Sequence, residues 1–418
     1  EGPGSPAESA MKKLQVFYEG WGERWPLATL ADDGEYLLFE YSAEALQQDL
    51  ELSPRHLVLR AQAYGGFPEH QMRLPGLVAD ALPDGWGLML MDRLFRKAGR
   101  QSSELSPLDR LAFIGTRAMG ALTFEPADPL ALLAEDVQLL ALAQQAQAVI
   151  AGQDSVALKA LALMGGSPHG ARPKVLVFHD PHTGHMSNQP FAGGGAWLVK
   201  FQAQAEHKEV CAIENLYADL ARAFGLDIPA TRYFDLDKKL AGFGIERFDV
   251  ERGMRVPVHT LAGLLHANFR LPSAVDYTTF LRATRFLTRS QVEVNKAYER
   301  AVFNVVFNNR DDHAKNISFR LSQDRTWHLS PAYDLTYCEG PGGEHQMDVC
   351  GEGRSITRNH MMDLARQGDV PVAFAQDSLE RALSLVDAFP TMAKNHPIRQ
   401  ASLRIITSAV EGSRERLR

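Results

Sequence analysis

The stretch FNNRDDHAKNISF, Phe307 to Phe319, sets two aspartates, a histidine, a lysine and several asparagines together directly after an apolar helix pattern. In the preceding run VEVNKAYERAVFNVVFNN, the residues Val294, Ala297, Tyr298, Ala301, Val302, Val305 and Val306 recur at three- and four-residue steps. That period predicts one buried helical stripe. Burial outweighs the weak helix propensity of the β-branched members. A helix held by such a stripe is a rigid mount for the polar loop behind it.

Within the loop, Asp311 stands five residues before Asn316, and Asp312 four. Phosphoryl transfer needs an aspartate to orient the acceptor hydroxyl and, in protein kinases, an asparagine five residues on to meet Mg2+. Spacing therefore assigns the base to Asp311 and a metal position to Asn316. His313 and Lys315, between them, are candidates for phosphate contact. Taken alone, the loop reads first as a solvated turn, which Asp and Asn favour. Asp334, in HLSPAYDLTY, lies eighteen residues beyond Asn316 and would supply the second oxygen that a Mg2+ ion requires. By itself it reads first as a helix N-cap or turn aspartate.

In AWLVKF, alternation puts Trp197, Val199 and Phe201 on one face of a strand and Leu198 and Lys200 on the other. Lys200 is either an edge residue reaching solvent or a phosphate-binding lysine held by a carboxylate. Glu214, at the border of the apolar stripe of the next helix, is its natural partner. MGGSPHGARPK carries Gly165, Gly166 and Gly170 and lacks the Gly-Lys-Ser/Thr of a Walker A loop. Glycines let backbone amides approach an anion closely, although a plain loop before a hairpin has the same composition. Ser167 at its tip is a candidate phosphorylation site, since a dianion there would compete with a nucleotide. GIERFD, with Glu246 and Phe248, reads as a strand end at a lobe junction. His179, His182 and His185 in HDPHTGH are read as a solvated hairpin tip rather than a metal site.

A chain of 418 residues, 45% hydrophobic and 23% charged, is too long for one core. Its net charge of −7 carries no basic footprint for nucleic acid. Three cysteines without a CxxC pair point away from a disulfide or zinc framework and fit a cytoplasmic setting. No apolar run has bilayer-spanning length. Residues 1–10 read as a disordered tail. Residues 11–128 read as a small α+β subdomain whose strands include YLLFEY and HLVLRA. Residues 129–250 read as a helical linker, PLALLAEDVQLLALAQQAQAVIAG, and a strand-rich lobe, and residues 251–418 as a largely helical lobe.

In this order, LPDGWGLMLMDRL, IGTRAMGALTF, WLVKF, IENLYADLARAFGLDIP, IERFD and RDDHAKNISF with SPAYDL resemble the HipA family of serine/threonine kinase toxins. The resemblance implies an α+β, protein-kinase-like bilobal fold with an added N-terminal subdomain. It implies Asp311 as catalytic base, Asn316 and Asp334 as Mg2+ ligands, Lys200 on the ATP phosphates, Glu246 to Phe248 at the adenine and Ser167 as an autophosphorylation site. The Ser-Pro-His-Gly core of the loop departs from the family's better-known form. The resemblance also implies an aminoacyl-tRNA synthetase as protein substrate, a HipB-type helix-turn-helix antitoxin, and DNA contact only through that antitoxin. The competing readings are a small-molecule phosphotransferase and an inactive pseudokinase acting as a binding module.

Overall fold

A computed structural model describes residues 11–130, 133–153 and 156–418; the tail expected over residues 1–10 lies outside them. The first sheet is antiparallel, in the order Ala63–Tyr64, Leu37–Tyr41, Trp25–Asp32, Lys12–Tyr18, Leu122–Glu125. Alternate residues Leu14, Val16 and Tyr18 are buried, as a half-covered sheet requires. Between its last two strands in sequence the chain makes the helices Gly85–Lys97 and Pro107–Ile114.

The second antiparallel sheet runs Met186–Ser187, Lys174–His179, Gly195–Phe201, Ala241–Glu246, Thr231–Asp235. Its central strand carries Lys200. Helix Glu209–Phe224 packs across it and ends at Gly225, whose φ of 101° suits a residue without Cβ. The C-terminal part stacks Tyr277–Thr288, Gln291–Val306, Val372–Ala393 and Gln400–Leu417. All seven residues of the stripe in Gln291–Val306 are buried.

Two expectations are corrected. HLVLRA is not a strand: Tyr41 and Tyr64 donate their hydroxyls to the carbonyls of Leu57 and Val58, both at 2.7 Å, so those groups do not enter a ladder. The linker helix spans only Leu139–Ile150, because upstream Val137 N–H bonds Met186 O at 3.0 Å and Asp136 bridges Ser187. A helix, Ala157–Gly165, precedes the glycine-rich turn. The helical lobe also holds a three-stranded sheet, Val258–Thr260, Ser318–Leu321 and Trp327–Leu329. Its middle strand begins two residues after Asn316, so the polar loop is held by a buried helix at one end and a strand at the other.

Candidate active site

The polar loop Phe307–Phe319 turns sharply after the helix, with Asn308 in the left-handed region and a 3-10 turn over Ala314–Asn316. Its two aspartates part ways. Asp312 is buried and accepts from the Tyr277 hydroxyl at 2.5 Å and from Gln346 N–H at 2.8 Å, with His345 Nδ1 at 2.7 Å. Asp311 keeps its carboxylate half exposed, 3.7 Å from His313 Nε2. Partial burial, reinforced by the Asp334 and Asp312 carboxylates, holds the Asp311 pKa above the ordinary aspartate value against the pull of His313.

Asn316 donates its amide N–H to the Asp311 carbonyl at 2.8 Å, which leaves the amide oxygen as the atom able to meet a cation. Asp334 takes a left-handed backbone, φ 52°, uncommon without glycine. Its carboxylate is ion-paired to Lys200. Burial alone would raise its pKa, but the Lys200 ammonium wins and lowers it. Lys200 also donates to Glu214 Oε1 at 2.5 Å. Burial works against its charge, yet Asp334 and Glu214 together raise its pKa, so it stays an ammonium.

These groups share one cavity of 570 Å3, lined among others by Lys200, Glu214, Asp311, His313, Lys315, Asn316, Asp334 and Gly170. A second, largely apolar cavity of 140 Å3 adjoins it through Lys200, Lys315, Asp334 and His169. Leu77, Met119, Leu198, Ile245, Glu246 and Phe248 line that one. A flat heterocycle in the small cavity with a polyanionic tail in the large one would match the two chemistries. Asn316 and Asp334 offer the hard oxygen donors that suit Mg2+.

Gly165, Gly166 and Ser167 line neither cavity. A Cβ on Gly165 would lie 2.0 Å from the Lys174 carbonyl oxygen, so this glycine serves close packing. Ser167 is only 6% exposed. His179, expected on a solvated tip, is buried against Trp197 and Phe234. The loop is folded in and clamped by the N-terminal subdomain: Gly170 N–H donates to Asp84 Oδ1, Trp86 N–H donates to Gly170 O at 3.1 Å, and His169 Nε2 lies 3.0 Å from Asp80 O.

Several residues here escaped the sequence reading. Lys174, the cross-strand neighbour of Lys200, donates to His169 O at 2.5 Å; burial, then the nearby Lys200 charge, lowers its pKa to about 8. It closes the quoted motif GGSPHGARPK, which was the available signal. Asp84 lies 3.4 Å from Lys315 Nζ, and the Phe269 ring carries Lys315 at 4.7 Å and His313 at 5.2 Å. Nothing in the local sequence around Phe269 marks it. Ser53, His259 and Asp80 form a hydrogen-bonded chain, 2.8 and 2.6 Å, resembling a hydrolase triad. Ser53 is fully buried, so the chain ties the subdomain to the helical lobe and offers no nucleophile.

Family models match twice: the HipA N-terminal domain over residues 15–125 and the HipA-like C-terminal domain over residues 166–393, more than half of the chain. The chain belongs to the HipA family. A curated relative, Putative kinase Y4dM of Sinorhizobium fredii, is 27% identical over 293 residues, 66% of each chain, so just under two thirds of that relative is spanned. The HipA of Shewanella oneidensis MR-1, solved with HipB and operator DNA, superposes with a TM-score of 0.69 at 17% identity, covering 96% of both chains. The Helicobacter pylori proinflammatory kinase CtkA aligns over 54% of this chain and 89% of its own, at 12% identity and a TM-score of 0.37. The fold of the Shewanella HipA, here with its antiparallel sheets, extends over nearly the whole chain, N-terminal subdomain included. Among the described residues no helix is long and apolar enough to cross a membrane.

Proposed function

We propose that this chain is a Mg-ATP-dependent serine/threonine protein kinase of the HipA toxin type. The observation that carries the reading is the convergence of Lys200, Glu214, Asp311, Asn316 and Asp334 on one cavity beside an apolar slot. In this reading Asp311 aligns the acceptor hydroxyl and Lys200 fixes the nucleotide phosphates. Asn316 and Asp334 hold Mg2+, which neutralises charge on those phosphates. His313 and Lys315 flank the transferred group, while Glu246 and Phe248 border the adenine. The acceptor protein is an aminoacyl-tRNA synthetase, and the partner is a HipB-type antitoxin through which alone the chain meets DNA. The setting is cytoplasmic.

Ser167 is the autophosphorylation site in this reading. Its burial assigns the modification to a state in which the loop has left its seat on Asp84 and Trp86. Radiolabelled ATP with a cell lysate tests the whole: the wild type labels a protein band and Asp311→Asn does not. Equal labelling by both overturns the reading. A second reading, transfer to a small molecule, draws on the size of the polar cavity beside Asp311, 570 Å3, which is in the range of small-molecule sites. Labelled metabolites without labelled protein in the same lysate would favour it.

A further inference from the structure

We propose that the cavity between Arg310 and Arg416 binds a phosphate-type oxyanion, either inorganic phosphate or a small phosphate monoester. The cavity measures 290 Å3 and is lined by Asn308, Arg310, Tyr337, Ser408 and Arg416, with Glu339 at its exposed rim. It contains none of Lys200, Asp311, Asn316 or Asp334 and is distinct from the nucleotide cleft.

Both guanidiniums are only partly used. Arg310 donates Nη1 to the Gly343 carbonyl and Nη2 to the Arg354 carbonyl at 3.1 Å; Arg416 donates Nη2 to Ser413 Oγ at 3.2 Å. The Nε–H of each is buried without an acceptor. Among the described residues neither arginine has a carboxylate within ion-pair distance, 4.0 Å, whereas Arg414, two residues before Arg416, is paired with Asp387 and Glu411. The two cations also oppose each other: burial first, then the Arg310 charge, lowers the Arg416 pKa.

A tetrahedral oxyanion supplies what is missing. Its charge offsets two like-charged neighbours, and its several oxygens can meet the terminal guanidinium nitrogens of both arginines and the Ser408 hydroxyl together. Guanidinium forks match phosphate geometry. Arg310 immediately precedes Asp311, so an anion here would bind the polar loop to the C-terminal helix Gln400–Leu417.

Phosphate-dependent thermal shifts at constant ionic strength, with chloride as control, test the site without nucleotide. The result therefore stands or falls separately from the kinase reading. Wild type and Lys200→Met, which disables the cleft, should both be stabilised by phosphate. Arg416→Leu should need at least about tenfold more phosphate for the same shift. Arg416→Lys keeps the charge, loses the guanidinium fork, and should fall between; it carries the comparison if the leucine variant does not fold. No response in wild type, loss of response in Lys200→Met, or a wild-type response from the arginine variants would overturn the proposal. Phosphoserine as a second titrant distinguishes monoester from free phosphate by the lower midpoint.

Discussion

Asp311 and Asp312 are adjacent in the chain and opposite in surroundings: Asp312 is sealed by Tyr277, His345 and Gln346, while Asp311 opens onto the cleft beside His313. The buried network continues from Tyr277 to Asn304 at 3.0 Å and from Asn304 to Asn309 at 3.0 Å. One carboxylate holds the loop and the other is left to act.

Asp311→Asn should abolish transfer while changing stability by less than about 0.5 kcal/mol, as surface changes do. Asp312→Ala strands three buried partners and should cost roughly 3 kcal/mol. Denaturant melts of both variants check the contrast, and equal stability losses would refute the division of roles.

The raised Asp311 pKa has a kinetic sign. A base works ionised, so the acid limb of kcat/KM should lie above the ordinary aspartate position. His313 pulls that pKa down, so His313→Ala should move the limb to still higher pH. For stability the sign is opposite to that of a salt-bridged acid. The contribution of Asp311 is full below the ordinary aspartate pKa and is lost as pH rises through the folded value. A pH–rate profile with an ordinary limb that His313→Ala leaves in place would remove Asp311 from the role.

Asp84 holds Gly170 N–H and faces Lys315. Asp84→Ala should loosen the glycine-rich loop, raising amide exchange at Gly170 by about tenfold or more relative to wild type. Unchanged exchange there would mean that Trp86 and Lys174 seat the loop without the carboxylate.

Glu209 is a stability device. It accepts from Arg399 N–H at 2.8 Å, from its guanidinium at 2.7 and 3.0 Å and from Ser402 at 2.7 Å. Burial would raise its pKa, but these donors lower it to about 2. The stabilisation is therefore present above the unfolded value, 4.5, and disappears as pH falls towards about 2. Glu209→Gln should cost about 1–2 kcal/mol at neutral pH, a modest figure because the Arg399 side chain is mostly solvated. The gap between wild type and variant in urea melts should close across that acid range; a gap independent of pH would contradict the assignment.

Much of this site was legible in the sequence because its pieces carry local periodicity. The stripe of Gln291–Val306, the alternation of the Lys200 strand and the helix of Glu214 follow from side-chain spacing, and the structure has all three. The strand expected at HLVLRA and the long linker helix failed where tertiary partners, the hydroxyls of Tyr41 and Tyr64 and the strand residue Met186, captured backbone groups. Phe269 was invisible because a lone aromatic has no period.

The amino-acid order alone determined which segments could form the lysine strand, its glutamate helix and the buried mount of the polar loop, since each depends on burying one face of one element. Folding in three dimensions decided the rest: that Lys200 reaches Asp334, that Asp84 and Trp86 hold the glycine-rich loop closed over a buried Ser167, and that Arg310 faces Arg416. Those relations join residues 84 to 134 positions apart, and their energies depend on distance and desolvation, which only the packed chain sets.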